Sequence, residues 1–167
     1  MAMIRKILIL CGLILSLSTA AMAQSGQGTE IRKQMQSIAN KYEQKSGFDI
    51  MTAVKGEGLE LIKVMMRKEF GKDFIKGVNI IIMADYAEAS KSDSALFRSE
   101  VMRLKRYCEN IDIPEELLKE ENGVTDFMFK VDSSGEYMTD FIIIHEAGNE
   151  RSMIYFGGKI KADPDLF

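Results

Sequence analysis

A single histidine, His145, stands beside Glu146, and an imidazole that titrates near neutrality next to a carboxylate is an ordinary starting point for general acid–base chemistry. A nucleophilic triad or a zinc centre needs more partners than this pair supplies. His145 follows the apolar run Phe141-Ile142-Ile143-Ile144 and precedes the turn residues Ala147-Gly148-Asn149, so its position reads as the solvated end of a strand. With one histidine and one retained cysteine, Cys108, a zinc site would have to be mostly carboxylate, unlike the usual nitrogen and sulfur sets. No metal, cofactor or catalytic set is expected.

Other residue groups have a first look of chemistry and lose it on spacing. Gly56-Glu57-Gly58 precedes a helix, as anion-binding loops do, but lacks a third glycine at dinucleotide spacing and any Gly-Lys-Ser/Thr. It reads as a strand-to-helix turn. Glu115, Glu116, Glu120 and Glu121 lack the alternating oxygen ligands of a calcium loop and suit the ends of a short exposed helix. The chain holds 12 methionines, a type that can serve copper through thioethers. They are scattered, so core packing is expected, with a Met-lined groove for a partner as the alternative. Tyr137 and Tyr155 are candidate exposed rings for such a surface. Cys108 is either a buried small hydrophobe or an exposed thiol able to join two copies.

The elements that must position these residues begin after an export signal. Arg5 and Lys6 give a cationic start, Ile7 to Leu17 an apolar core, and Ala21-Met22-Ala23 a cleavage site. The competing reading, lipidation at Cys11, would leave an apolar start on the mature chain and the Ala-Met-Ala site without purpose. Residues 24–29 form a polar leader, 30–162 one domain and 163–167 a tail. The expected location is therefore periplasmic or secreted, without a membrane-spanning segment in the mature chain. Net charge is −3, and loss of Arg5 and Lys6 makes the mature chain more acidic, which disfavours nucleic acid.

Ile31, Met35, Ile38 and Tyr42 recur at helical spacing, as do Leu59, Ile62, Met66 and Phe70, and again Phe97, Val101, Leu104 and Cys108. A weak strand is expected over 48–54 and a central strand, apolar on both faces, over 78–84. Asp112 and Pro114 open a short helical connector. A meander follows over 124–131, 137–145 and 152–156, with glycine in both turns. The order α-β-α-β-α-β-β-β predicts an α+β fold, a mixed, mostly antiparallel sheet of about five strands with helices mainly on one face.

On this layout the chain resembles the exported bacterial family catalogued as domain of unknown function 4252. The resemblance is carried by Lys41-Tyr42-Glu43, the helix from Ala95 to Tyr107, the strand Asp126-Phe127-Met128-Phe129-Lys130-Val131, and Ile154-Tyr155-Phe156-Gly157-Gly158-Lys159-Ile160. It implies a small exported α+β domain with no family catalytic residues to transfer. Members of that family are often lipoproteins, a pattern from which Ala21-Met22-Ala23 departs. The expected function is a non-catalytic envelope protein that binds a protein partner or supports an envelope system. The alternatives are a hydrolase using carboxylates or His145, and a subunit of a surface assembly, which would need an unpaired strand edge. Oligomeric state is left open by the sequence.

Overall fold

The computed structural model describes residues 29–109, 119–120 and 123–161. The expected export signal, Cys11, the expected connector near Pro114, Glu115, Glu116, Glu121 and the tail lie outside those residues. Helix α1 spans Glu30–Tyr42 and opens on Thr29, whose hydroxyl accepts the Arg32 N–H at 3.1 Å. Strand β1 (Asp49–Val54) leads into α2 (Gly56–Phe70), a short α3 (Lys72–Lys76) and β2 (Val78–Asp85). Ser90 caps α4 (Lys91–Met102), which tightens into a 3₁₀ turn over Arg103–Tyr107. The chain then forms β3 (Lys119–Glu120), β4 (Gly123–Val131), β5 (Tyr137–Ala147) and β6 (Glu150–Lys161).

The expected α+β class and antiparallel sheet are present. Among the described residues the sheet has the order β1-β2-β6-β5-β4-β3, with every neighbouring pair antiparallel. Its last strand thus lies in the middle, holding β1–β2 on one side and β5–β4–β3 on the other.

Helices cover both faces, rather than mainly one. Ile80, Ile82 and Ala84 of β2, with Ile142, Ile144 and Tyr155, pack against Ile31, Met35 and Tyr42 of α1 and Phe97 and Val101 of α4. Ile81 and Met83, with Ile143, Ile154 and Phe156, pack with Leu59, Ile62 and Met66 of α2 and Phe74 and Ile75 of α3. The reason is the side-chain alternation of a strand: β2 is apolar at both parities, so either face left bare would expose isoleucines to water. Several methionines of the described residues, among them Met35, Met66, Met83 and Met138, are fully buried in these two layers.

Strand β6 runs five residues past the expected end at Phe156, through Gly157-Gly158. Ladder partners on both sides hold it extended there. Register shifts in β2, between Val78 and Ile80, and in β5, between Met138 and Asp140, fall where both strands meet Gly157. The β5 bulge puts Met138 on the α2 face and turns Asp140 toward the α1 face, although the two are only two residues apart.

The loop after α1 is pinned to the loop after β2. Gly47 has φ 82°, and a Cβ there would lie 2.4 Å from the Glu88 carbonyl oxygen. Phe48, beside it, stacks with Tyr86 and meets Phe97 edge-on. Gly47→Ala should therefore destabilise the protein by about 1–3 kcal/mol through backbone strain, read as a lower urea midpoint at unchanged slope.

Candidate functional site

Asp140 is the most enclosed carboxylate of the described residues, 1% exposed. Its Oδ1 accepts from the Thr29 hydroxyl at 2.6 Å and the Tyr155 hydroxyl at 2.8 Å, and its Oδ2 from the Thr139 hydroxyl at 2.8 Å. Gly157 makes this geometry possible: it sits opposite Asp140, and a Cβ on it would fall 2.4 Å from the Tyr155 hydroxyl. Burial and the Asp140 charge together push the Tyr155 phenol well above its ordinary range, with Arg32 opposing them. Arg32 itself donates to Asn79 at 2.7 Å. The cluster fastens the start of α1 to the centre of the sheet. Tyr155, a candidate exposed ring, instead takes the packing role a tyrosine in a sheet more often has: it is fully buried, its strand being covered on both faces.

A second network closes the far end of the same face. Tyr86 donates to Glu146 at 3.0 Å, and Arg98 from α4 pairs with Asp126 and Glu146. Arg98 Nε lies 3.2 Å from Glu146 without the alignment of a hydrogen bond, so that contact is an ion pair only. Burial, then the Glu146 charge, raises the Tyr86 phenol far above its usual value. These carboxylates are held by cations and hydroxyls, and the arrangement locks α4 onto β4 and β5.

His145 is not solvated. It is 2% exposed because β5 continues to Ala147, and its pleat turns the ring onto the face opposite Glu146. Nδ1 lies 3.0 Å from the Thr125 hydroxyl on β4, while Nε2 is buried without a partner among the described residues. The adjacent His145-Glu146 pair therefore has no shared space in which to move a proton. Among the described residues no three histidine, cysteine, aspartate or glutamate side chains gather as a metal site.

Cys108 ends the 3₁₀ turn, half-buried against the α1/α4 layer, and its thiol donates to the Leu104 carbonyl at 3.4 Å. Burial, with a smaller contribution from Asp140, pushes it up to about 11. It lies on the other side of the sheet from His145, so the two form no nucleophile–base pair. Tyr137, half-exposed on β5, lies under the Lys159 ammonium at 4.2 Å from the ring centre.

The surface feature that stands apart is the outer edge of β1. Among the described residues no strand pairs with it. The Tyr86 N–H bonds to the Arg151 carbonyl, so the even-numbered residues of β2 direct their backbone groups to β6 and the odd-numbered ones to β1. In β1 the partners Asp49, Met51 and Ala53 therefore face inward, and Ile50, Thr52 and Val54 direct N–H and C=O outward. Thr52 is exposed, and no proline or bulge interrupts the strand. At the opposite edge β3 pairs with only two residues of β4; along the rest of β4, where no further strand is described, the Glu109 N–H bonds to the Phe129 carbonyl.

No family model, curated protein or solved structure matches the chain. Sequence reading singled out His145, Glu146, Cys108, Tyr137 and Tyr155, which the fold distributes over separate places. It passed over Asp140, Arg98 and Tyr86. A lone aspartate inside an apolar strand pattern was the available signal for Asp140.

Two outcomes follow. Tyr155→Phe should lose about 1–3 kcal/mol by leaving Asp140 short of a donor, measured by urea unfolding. For Cys108 the folded value lies above the free-thiol 9.0, so its stabilising contribution is present below about pH 9 and is lost as pH rises through about 11. Alkylation at Cys108, followed by peptide mass spectrometry, should accelerate near pH 11 in the native protein and near pH 9 in urea.

Proposed function

We propose that the protein is an exported envelope domain that acts without catalysis, by accepting an extended strand from a protein partner along the outer edge of β1. The observation carrying this reading is that edge: three residues with outward backbone groups, an exposed Thr52 at the centre, and no device that blunts it. Strand addition draws affinity from main-chain hydrogen bonds and needs no specialised side chains, which suits a chain whose enclosed polar groups already serve its own packing. The likeness in layout to the exported family of unknown function is in keeping with it. A hydrolase reading has less support, since His145 is shut away from both water and Glu146.

Thr52→Pro tests the reading, because it deletes one outward N–H and leaves the ladder to β2 intact. Affinity capture from a fractionated native host under mild crosslinking should recover a recurrent partner with the wild-type protein and lose it with Thr52→Pro, at unchanged far-ultraviolet dichroism. Equal recovery by both proteins, or no partner with either, would sink it.

A further inference from the structure

The residues of β1 read as a self-complementary strand. We propose that the occupant of the β1 edge is a second copy of this chain, paired antiparallel about a two-fold axis through Thr52; this rests on the reading of that edge as the interaction element. With Thr52 opposite Thr52 of the second copy, Ile50 faces Val54, Met51 faces Ala53, and Asp49 comes level with Lys55. The hydroxyl–hydroxyl and β-branched pairs are ones that antiparallel strands favour, Met51 and Ala53 are both apolar, and Lys55, just past the end of the strand, puts a cation near Asp49 of the other copy.

Backbone direction selects the same register. Only residues with outward groups can exchange hydrogen bonds across the new ladder, and these are Ile50, Thr52 and Val54. A register centred on Thr52 uses all three in both copies. Sliding by two residues, to centre on Met51 or Ala53, leaves one outward residue of each strand without a strand partner. The first of these slides also sets Asp49 against Ala53. Sliding by one residue opposes inward to outward groups and breaks the pleat.

The axis is perpendicular to the sheet, so like faces stay together. Ile50 and Val54 extend the α1/α4 layer across the junction, while Met51 and Ala53 extend the α2/α3 layer. Such an interface is isologous and closes on itself. Each copy has then used its β1 edge, so this contact makes a pair and does not propagate.

Sedimentation of the purified protein across a concentration series should show a reversible dimer that Thr52→Pro reduces to monomer with unchanged dichroism. Asp49→Lys should weaken the dimer several-fold, and adding Lys55→Glu should restore it. Opposed residues in such a ladder have Cα atoms about 5.5 Å apart, within disulfide reach. Thr52→Cys should therefore form a linked dimer with oxidised glutathione, which takes up the two electrons and two protons. Ile50→Cys, which faces Val54 of the second copy, should not link, and neither should the wild-type protein through Cys108. A wild-type protein that stays monomeric overturns the proposal, as does a dimer that survives Thr52→Pro or one that links through Ile50→Cys and not Thr52→Cys. A monomer that still captures another protein through Thr52-dependent contacts sinks self-pairing alone, whereas loss of both sinks the edge reading as well.

Discussion

Strands β2, β6 and β5 bury side chains on both faces, so any polar group that falls within them must be satisfied from inside the protein. Asp140 meets that demand with three hydroxyls, and it draws Thr29 of α1 to the sheet in doing so. His145 meets it at Nδ1 alone, through Thr125 on the next strand, while its Nε2 has no partner among the described residues. Glu146, one residue on and half-buried, meets it through Tyr86 and Arg98. The placement of α1 and α4 follows from these bonds together with the aromatic contacts of Tyr42, Tyr86 and Phe97. An ion pair of this kind contributes little to net stability against an apolar substitute, whereas removing one member leaves the other charge stranded. Its effect is to fix which helix lies over which strands.

The same two-sided cover has a consequence at the margin of the sheet. Helices on both faces protect the strands from above and below but do nothing for hydrogen-bonding groups at the side. Among the described residues β1 pairs with no strand along its outer side, and on the far side β3 covers only Gly123 and Val124 of β4, so that Thr125–Val131 meets no further strand. The β1 edge is set apart by its charges, with an acidic residue at its first position, Asp49, and a basic one just beyond its last, Lys55.

Much of the architecture was legible because periodicity is a local property. The stripes Ile31-Met35-Ile38-Tyr42 and Leu59-Ile62-Met66 form helices where the spacing places them, and the doubly apolar β2 lies inside the sheet. The division of helices between two faces was implicit in that same doubly apolar pattern. What periodicity does not carry is pairing. The run of β6 through Gly157-Gly158 depends on neighbours from two strands far apart in sequence, β2 and β5, and glycine by itself argues for a stop. His145 is buried because β5 continues past it, and Tyr155 because its hydroxyl reaches over a glycine to an aspartate 15 residues away. The edge at β1 is likewise a property of strand order, which no local pattern records.

Strand order also sets a sequence of events in time. The segment Glu150–Lys161 supplies the ladder on both of its sides, so the β1–β2 pair and the β3–β4–β5 group cannot be joined while that segment is still being synthesised. A nascent chain shorter than this has two incomplete sheets, each with an apolar central edge and no partner to close it. Pairing between β2 and β6 spans more than sixty residues of sequence, a separation that slows folding because a long loop must be closed before its contacts stabilise anything. Completion of the sheet therefore waits on the last of the described strands.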